Sequence, residues 1–491
     1  MNLPYFIPET QYVADVYHKY TFPMDFSETY KCSGPQPAFS PDGRYVAAAV
    51  EYRLVIRDAE TLAVVQLYSC LDRIDHFQWS PNSMYILCGL FSRAIIQIWS
   101  AVQADWTCKI DEGPAGVQAA TWSPDGTAVV LTASFNIRTT VWSLKDRHCH
   151  YLPGSKSGAI KNIDFSPCGL YMAQLERYDC HDHISIYLTS SWAQQLHFRT
   201  ATSDAVDLSW SPDGTCLAVM DGPLYCKVAI HVTDGRILAE HQELLDGLGI
   251  KCMSWDSSGQ FLALGGYDER LRILDNVTWQ PLLDEKHPIS LTGPRNPGVV
   301  LYREVEEDAV QCSPTSHNSV TVGSLSLMNK SPSRVLKSET RSRYLLCELP
   351  AHLPHKIPDK STPNPRMGIG VIRWSPDGRY LATTSEVMPQ VVWVWDLEAG
   401  QLGTVLQHAS EVTDFDWAPS QETSGASVSL LAIVTQGSKL YMWASAGASV
   451  VHIPLKDFQA QKLAWAPGGL SFILTSKDCF SCAYLATAAH A

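Results

Sequence analysis

The sequence Ala-Thr-Trp-Ser-Pro-Asp-Gly at residues 120–126, followed by an apolar run and then by Thr-Val-Trp-Ser at residues 140–143, decides the fold. Proline at the second position of a tight turn presets φ, aspartate tolerates the conformation that follows, and glycine closes the turn. The aromatic residue before serine ends one strand, and the apolar run after glycine begins the next. The pattern therefore predicts antiparallel strands joined by a tight turn.

This turn occurs nine times along the chain. Its aromatic residues are Phe39, Trp79, Trp122, Phe165, Trp210, Trp255, Trp374, Trp417 and Trp465. Successive members are 40, 43, 43, 45, 45, 119, 43 and 48 residues apart. A period of about 40–45 residues built from short strands is typical of WD40 propeller blades, which stack to bury their apolar faces. The sequence predicts an all-β WD40 β-propeller of about nine blades in a single ring; a split ring is the alternative.

Composition argues against several classes of function. The net charge of −13 disfavours a general binder of nucleic acid or of anionic membranes, because phosphate binding needs a basic surface. Fourteen cysteines are scattered along a chain with its own core, as expected for buried thiols in a reducing compartment. Neither a signal peptide nor an apolar run of membrane-spanning length is present in the sequence. We expect a soluble intracellular protein that binds neither nucleic acid nor membrane.

The two ends of the chain are expected to share one blade. The ninth unit ends with residues 480–485, and the six residues that remain are too few for an outer strand. A strand-like piece at Phe26–Cys32 precedes the first unit and can supply that strand. Closure of this kind removes an open sheet edge.

These observations divide the chain into four segments. Residues 1–24 form an irregular N-terminal extension, residues 25–285 hold blades 1–6 with 25–33 as the closing strand, residues 286–366 are an insertion loop, and residues 367–491 hold blades 7–9. Within the insertion, residues 299–302 and 344–347 are predicted to pair at the base of a long loop. Long loops of this kind are functional or are solvated linkers, and both interpretations stay open.

The departures from the consensus repeat predict an unusual interior. Trp395-Asp396 is the one literal Trp-Asp at the end of a blade, and the recurrent Gly-His before each unit is essentially missing. We therefore expect the buried hydrogen-bond network of consensus blades to be incomplete, with packing contributing more of the stability.

Several stretches outside the turns carry a closer resemblance. They are Val55–Asp58, Trp106–Gly113, Gly249–Lys251, Val277–Trp279, Gly368–Gly370 and Val392–Asp396. With these stretches, the unit order and the insertion after the sixth unit, the chain resembles the WD repeat-containing protein eight family, the centrosomal and spindle-pole WD40 proteins encoded antisense to a p53 relative.

The resemblance implies a non-catalytic scaffold or adaptor in the cytoplasm and cytoskeleton, at the centrosome, spindle pole and centriolar region. It implies a coiled-coil microtubule-anchoring protein as partner, with the gamma-tubulin complex and a minus-end-directed kinesin as further partners. The implied role is to anchor microtubule minus ends, in spindle organisation and in cilium assembly.

Two other functions are weighed against this one. A substrate receptor of a ubiquitin ligase often ends a blade with Trp-Asp-x-Arg, whereas the sequence here reads Trp395-Asp396-Leu397-Glu398. An RNA- or ribosome-associated propeller fits the blade number but not the net charge. Catalytic motifs such as Gly-x-Ser-x-Gly, the phosphate loop and His-Glu-x-x-His are missing from the sequence, so we predict neither enzymatic activity nor a cofactor.

A metal site is considered at Cys180-His181-Asp182-His183, with His148-Cys149-His150 one unit earlier. Thiolate and imidazole suit zinc, but adjacent ligands are not a spacing that compact structural zinc sites use. We predict no metal site and expect the residues to lie in a blade turn.

Three tryptophans, Trp106, Trp192 and Trp279, recur on alternate units just after the third strand. At the outer edge of a blade they either pack against it or anchor a partner, and packing is the favoured interpretation.

Two phosphorylation sites are predicted in the insertion. Ser331 begins the sequence Ser-Pro-Ser-Arg, an order that cyclin-dependent kinases favour, and Thr362 precedes Pro363. Phosphate at Ser331 would largely cancel the basic run from Lys330 to Arg343. Incidental phosphorylation of a passive linker is the alternative.

Overall fold

The fold is described from a computed structural model of the 491-residue chain. The structure describes residues 22–157, 161–242, 247–294, 296, 298–307, 341–359, 361–362, 365–420 and 429–486. These residues form nine blade sheets that follow one another along the chain, which we number as blades 1 to 9, and one two-stranded sheet in the insertion, which pairs Ser290–Leu291 with Ala351–His352.

The strands are numbered in chain order. The first two are β1 (Met24–Phe26) and β2 (Tyr30–Lys31). Blades 1 to 3 contain β3 (Ala38–Phe39), β4 (Tyr45–Val50), β5 (Arg53–Asp58), β6 (Val64–Ser69), β7 (His76–Trp79), β8 (Tyr85–Leu90), β9 (Ile95–Ser100), β10 (Thr107–Asp111), β11 (Ala119–Trp122), β12 (Ala128–Thr132), β13 (Arg138–Ser143) and β14 (Cys149–Pro153).

Blades 4 to 6 contain β15 (Ile163–Phe165), β16 (Tyr171–Tyr178), β17 (His181–Leu188), β18 (Gln194–Arg199), β19 (Ala205–Trp210), β20 (Cys216–Asp221), β21 (Lys227–Val232), β22 (Ile237–Gln242), β23 (Ile250–Trp255), β24 (Phe261–Gly266), β25 (Arg270–Asp275) and β26 (Pro281–Lys286). The insertion adds β27 (Ser290–Leu291), β28 (Val300–Glu307), β29 (Arg341–Cys347) and β30 (Ala351–His352).

Blades 7 to 9 contain β31 (Ile369–Trp374), β32 (Tyr380–Ser385), β33 (Val391–Asp396), β34 (Gln401–Gln407), β35 (Val412–Trp417), β36 (Leu431–Thr435), β37 (Lys439–Ala444), β38 (Gly447–His452), β39 (Lys462–Trp465), β40 (Ser471–Thr475) and β41 (Cys479–Leu485). The helical segments within the described residues are three short 3-10 turns, Phe91–Arg93, Gly113–Ala115 and Ser134–Asn136.

Burial follows the position of a strand within its blade. The second strands, such as β8 and β12, are buried along most or all of their length, because each blade is covered on both faces by its neighbours. Outer strands such as β18 are mostly exposed. The runs of consecutive apolar residues in the sequence are therefore the middle strands of stacked sheets, as predicted.

The tight turns form as the sequence predicts. Ser123 Oγ donates a hydrogen bond of 2.5 Å to Asp125 Oδ1, and the Ala128 N–H donates to Ser123 Oγ over 2.9 Å. Gly126 closes the turn at a φ of 69°, in the left-handed region that glycine occupies without strain. The same contacts recur at Ser211 and Asp213, so one local design joins the first two strands of successive blades.

The ring is closed. Nine apolar clusters each fill the space between two neighbouring blades, and one of them joins blade 9 to blade 1. In that cluster Phe480 and Cys482 of blade 9 pack with Val46 and Ala48 of blade 1. The predicted single ring of nine blades is confirmed, and the alternative of a split ring is wrong.

Both ends of the chain build blade 9. Strand β1 pairs antiparallel with β41, with Met24 opposite Leu485, and β2 pairs with the other end of β41, with Tyr30 opposite Phe480. The closing strand predicted at Phe26–Cys32 is therefore present and begins two residues earlier. It covers the edge of β41 that would otherwise face solvent.

The insertion is partly built into the ring. Strands β28 and β29 pair antiparallel, with Leu301 opposite Cys347, which confirms the pairing predicted at its base. Strand β28 also pairs in parallel with β34, so blade 7 has six strands. Leu291, Leu301 and Leu353 lie in the apolar cluster between blades 6 and 7. The described ends of the insertion are thus part of the fold and not only a solvated linker.

Candidate protein-interaction surface

The repeated aromatic residue links each blade to the one before it. In six blades its indole N–H donates to a main-chain carbonyl in the first strand of the preceding blade, over 3.0 to 3.3 Å. The acceptor is always the residue before the equivalent aromatic: Ala38 for Trp79, Gln78 for Trp122, Asp164 for Trp210, Ser254 for Trp374, Arg373 for Trp417 and Asp416 for Trp465. These tryptophans therefore hold the ring together and are not free to bind a partner.

Three blades lack this link for different reasons. Phe39 and Phe165 have no N–H to donate. Trp255 Nε1 is buried without a hydrogen-bond partner among the described residues. A buried polar group without a partner costs about 1–3 kcal/mol, so the contact between blades 5 and 6 is weaker than its neighbours in this respect.

Two lysines at the first strands of blades 4 and 6 are paired with carboxylates. Lys161 Nζ lies 2.9 Å from Asp164 Oδ1, and Lys251 Nζ lies 2.5 Å from Glu386 Oε2. Burial raises the pKa of the Asp207 carboxyl to about 6, against the opposing effect of Lys161.

The buried hydrogen-bond network of consensus blades is present in altered form. In blade 7, Thr383 Oγ1 accepts from Trp395 Nε1 over 2.9 Å and lies 2.8 Å from His287 Nε2. His287 stands directly after β26, at the position of the consensus histidine, but residues 288–368 separate it from the first strand of blade 7. Burial lowers the pKa of His287 to about 4, so the ring is neutral at physiological pH. The expectation that this network is incomplete is therefore wrong for blade 7.

Other residue types replace the histidine in other blades. In blade 3, Glu112 accepts from Trp142 Nε1 over 2.6 Å and from Thr140 Oγ1 over 3.2 Å, and pairs with Arg138 at 2.9 Å. Glu112 follows β10 just as His287 follows β26. Sequence reasoning missed this position because its chemistry changes from blade to blade. The position of Glu112 and His287 can be recognised by its location, because it lies one residue after an outer strand.

The insertion is fixed to blades 7 and 8 by a buried polar cluster. Glu304 on β28 accepts from Lys439 Nζ at 2.9 Å, from the Tyr441 hydroxyl at 2.9 Å and from the Ala409 N–H at 2.8 Å. Burial alone would raise the pKa of Glu304, but these three donors hold it below its ordinary value. Tyr344 on β29 completes the cluster, since its hydroxyl lies 2.8 Å from His408 Nε2.

None of the three tryptophans singled out in the sequence is exposed. Trp192 is 7% exposed and packs between blades 3 and 4. Trp106 packs against Tyr85 with ring centroids 4.6 Å apart and the rings tilted by 44°, and Trp279 meets Trp255 edge-on at 6.1 Å. Trp192 and Trp279 each have a φ of 56°, a conformation that L residues adopt at a cost. The geometry favours packing, and partner binding by these residues stays a prediction.

The cysteine–histidine stretch lies in the β16–β17 hairpin. Cys180 and His181 are exposed at its tip, while Asp182 is buried and bonded to Lys156 Nζ at 3.1 Å and to Arg177 Nη1 at 2.8 Å. His183 stacks on His197 of the next strand, with ring centroids 4.8 Å apart. Asp182 is thus engaged by cations. Within the described residues, no three possible metal ligands come together.

Of the two predicted phosphorylation sites, Ser331 lies outside the described residues. Thr362 is exposed, and its Oγ1 donates to the Asp359 carbonyl over 3.0 Å. Phosphorylation of either residue stays a prediction.

Comparison with known proteins identifies the family. The family described as WD domain, G-beta repeat matches residues 236–275. The chain is 40% identical over 465 residues to the mouse (Mus musculus) protein named WD repeat-containing protein WRAP73, which covers 94% of this chain and 96% of the relative. The chain belongs to the WRAP73 family. This confirms the family predicted from the sequence.

Two more distant similarities accompany this match. An uncharacterised WD repeat-containing protein of Schizosaccharomyces pombe is 24% identical to this WRAP73-family chain over 493 residues, covering 94% of this chain and 93% of the relative. The C-terminal WD40 domain of Sif2 has a TM-score of 0.48 at 13% identity, covering 87% of this chain and 98% of that one.

The WRAP73-family chain is a WD repeat protein of the scaffold type, a class that is generally non-catalytic. None of the helical segments in the described part of the chain has the length and hydropathy that a membrane span needs.

Proposed function

We propose that this protein is an adaptor that anchors microtubule minus ends at the centrosome or spindle pole, with roles in spindle organisation and cilium assembly. The proposal rests on its membership of the WRAP73 family over 94% of its length and on the resemblance of its sequence to centrosomal WD40 proteins. The expected partners are a coiled-coil microtubule-anchoring protein, the gamma-tubulin complex and a minus-end-directed kinesin.

The architecture is compatible with such a role. A closed ring with nine interblade clusters keeps its shape when a partner binds to one surface. It offers two end faces and nine outer edges for contact. A fold alone does not define a function, so the proposal depends on the family and on the test that follows.

Depletion and rescue in dividing cells, combined with proximity labelling, tests the proposal. The labelled protein is expected to enrich a coiled-coil spindle-pole protein and gamma-tubulin, and its depletion is expected to release microtubules from the poles. Enrichment of ubiquitin-ligase subunits or ribosomal proteins without spindle-pole proteins would contradict it. A rescue chain with Tyr151→Ala, a change at an exposed side chain of an outer strand, controls for expression.

The insertion is the proposed site of regulation. Phosphate at Ser331 would add about −1.5 to −2 charges to the basic run from Lys330 to Arg343, and we propose that this weakens contact with an acidic partner. Ser331→Ala is expected to prolong recruitment to the poles through mitosis, and Ser331→Glu to shorten it. Ser333→Ala is the matched control, because Ser333 is not followed by proline. Equal recruitment of all three variants would leave the segment as a linker.

A further inference from the structure

A cysteine occupies the position of the consensus histidine between blades 1 and 2. Cys70 comes one residue after the outer strand β6, and its N–H donates to the Tyr52 carbonyl over 2.7 Å. His287 has the same place after β26, where its N–H donates to the Glu269 carbonyl over 3.0 Å. Both acceptors stand directly before the third strand of their blade. Cys70 is therefore the structural equivalent of His287.

A second cysteine replaces the threonine that this histidine contacts. In blade 7, His287 Nε2 lies 2.8 Å from Thr383 on the second strand, and Thr383 comes two residues after the residue opposite Trp395. In blade 2, Cys88 comes two residues after the residue opposite Trp99. The histidine, threonine and tryptophan of blade 7 thus correspond to Cys70, Cys88 and Trp99 in blade 2.

The two thiols are in contact and differ in acidity. Cys70 and Cys88 belong to the apolar cluster between blades 1 and 2, and Cys88 is fully buried. A hydrogen bond from the Cys88 thiol lowers the pKa of Cys70, against the opposing effect of burial. Burial raises the pKa of Cys88. Because the thiolate is the reactive form of a cysteine, Cys70 is the nucleophile of the pair.

The Trp99 indole also favours the thiolate of Cys70. Its ring stacks on Tyr68, two residues before Cys70, with ring centroids 4.8 Å apart. Trp99 Nε1 is buried and makes no ordinary hydrogen bond to any described residue, yet its N–H contributes to the lowered pKa of Cys70. A thiolate accepts hydrogen bonds more strongly than a thiol, so ionisation of Cys70 gives this N–H the acceptor that it lacks.

A cleft connects Cys70 to solvent. The cleft has a volume of about 740 Å³, and Cys70 is one of the residues that line it, whereas Cys88 is not. Most of the other lining residues are polar, so water and small polar molecules enter it; they include Ser33, Glu51, Asp72 and Arg73. A small reagent can therefore reach the Cys70 sulfur but not the fully buried Cys88.

We propose that Cys70 and Cys88 form an oxidation site, in which Cys70 reacts with hydroperoxides and Cys88 then closes a disulfide between blades 1 and 2. Redox-sensing cysteines combine a reachable thiolate with a neighbouring resolving thiol, and this pair has both. The inference goes beyond the proposed function, because it depends on the chemistry of two thiols and not on any partner protein.

The reaction has two balanced steps. The Cys70 thiolate attacks one oxygen of hydrogen peroxide, the O–O bond breaks, hydroxide leaves and Cys70 becomes a sulfenic acid. The Cys88 sulfur then attacks the Cys70 sulfur, the S–O bond breaks, and the departing hydroxide takes the thiol proton of Cys88 to form water. The two sulfurs are oxidised to a disulfide, and peroxide is reduced to water and hydroxide. Small thiols such as glutathione reverse the reaction by exchange.

Peroxide titration of the full chain, followed by blocking of free thiols and peptide mass spectrometry, tests the site. We expect a linked peptide that contains Cys70 and Cys88, with Cys70 oxidised about tenfold or more faster than Cys216. Cys216 is the matched control, because it is 4% exposed against 7% for Cys70 and burial raises its pKa. Equal rates at Cys70 and Cys216, or a disulfide from Cys70 to a different cysteine, would overturn the proposal.

Variants that copy blade 7 separate the roles of the two thiols. Cys88→Thr places at position 88 the residue type that blade 7 has there, so we expect the chain to fold and Cys70 to stop at a sulfenic acid, which dimedone traps. Cys70→Ser is expected to leave Cys88 unoxidised. A folded Cys88→Thr protein without a dimedone adduct at Cys70, or oxidation of Cys88 in Cys70→Ser, would contradict the proposal. The titration of the unaltered chain decides the question even if a variant fails to fold.

Discussion

The inner ring and the outer rim of this propeller are built on different principles. Around the channel, six tryptophans donate to equivalent carbonyls, and one turn design recurs from blade to blade. At the rim, blade 9 uses residues 24–31 to cover its outer edge, blades 7 and 8 are joined by the insertion, and the outer strand of blade 1 carries no charged residue. The first strands of all nine blades must repeat the same geometry, whereas each outer strand has different neighbouring residues.

The largest expected effect is at the rim, where the two ends of the chain meet. Deleting residues 1–33 removes β1 and β2 and exposes the edge of β41, so we expect loss of soluble monomer through aggregation. Deleting residues 1–21 leaves both strands in place and is expected to change the unfolding free energy by less than about 0.5 kcal/mol. Size-exclusion chromatography and thermal melts compare the two. Equal elution and equal melting temperatures of the two truncated proteins would contradict the closure of blade 9 by β1 and β2.

The second effect concerns an aromatic residue at the rim. Trp192→Ala removes a side chain packed among Val130, Met172 and Tyr187, and we expect a loss of about 3–5 kcal/mol in unfolding free energy. Tyr151→Ala, in a neighbouring outer strand but 61% exposed, is the control and should change it by less than about 0.5 kcal/mol. A stable Trp192→Ala protein that fails to bind its partners would instead show that Trp192 is an anchor.

The third effect tests the buried polar cluster that fixes the insertion to blade 8. Glu304→Ala leaves Lys439 and the Ala409 N–H without their buried acceptor, and the expected loss is about 3 kcal/mol of unfolding free energy. Glu306→Ala removes an exposed carboxylate from the same lysine, at 3.3 Å, and is expected to cost less than about 0.5 kcal/mol. Denaturant titrations measure both. Similar losses would show that the cluster does not fix the insertion.

The fourth effect is a pH dependence of stability. Burial lowers the pKa of His287 and of His408 to about 4, below the ordinary 6.5. At these two histidines the unfolded chain therefore binds more protons between pH 6.5 and 4, and their contribution to stability falls as pH falls through that window. We expect a loss of about 1 kcal/mol per histidine between pH 7 and pH 5.5.

Variants assign this pH dependence to the two histidines. His408→Gln should flatten the curve of unfolding free energy against pH, whatever its effect on stability at pH 7. His355→Gln, at an exposed position, should leave the curve unchanged. Glu304 also loses its contribution in acid, because its pKa is lowered, so the comparison is made above pH 5.5. If the unaltered protein, His408→Gln and His355→Gln gave parallel curves of unfolding free energy against pH, this would contradict the assignment of the pH dependence to the histidines.

The smallest effect lies in the inner ring and compares two tryptophans. Trp417→Phe removes the hydrogen bond to the Arg373 carbonyl, while Trp255→Phe removes an indole N–H that has no partner among the described residues. Both changes remove a similar side-chain volume. Trp417→Phe should therefore lower the free energy of unfolding by about 1 kcal/mol more than Trp255→Phe does. Thermal melts measure the difference. Equal costs would mean that the repeated hydrogen bond adds nothing to packing.

Much of the inner ring could be predicted from the sequence, and the outcome shows why. Turn chemistry is local: Ser123, Asp125 and Gly126 bond to one another and to Ala128, so their spacing alone reveals the turn. The repeat length gave the blade number, because each unit must contain four short strands. The closing strand was also predictable, since a strand-like piece at Phe26–Cys32 precedes the first unit, and the structure pairs this part of the chain with β41.

The candidate interaction surfaces were less predictable, because they depend on residues far apart in the chain. Glu304 meets Lys439 across 135 positions, and His287 meets Thr383 across 96. No spacing rule connects such residues before the ring is closed. The tryptophans chosen from their recurrence turned out to be packed, because recurrence marks a structural position as readily as a binding one.

The sequence by itself determined the class of fold, the number of blades, the turn design and the pairing of the two chain ends, since these follow from short-range chemistry and from repetition. Only the tertiary structure decided which residues fill the consensus histidine position, how the insertion docks on blades 7 and 8, and which outer edges are covered by another strand. The physical reason is that burial and pairing at the rim depend on the neighbouring blade, and neighbours are defined only once the ring has closed.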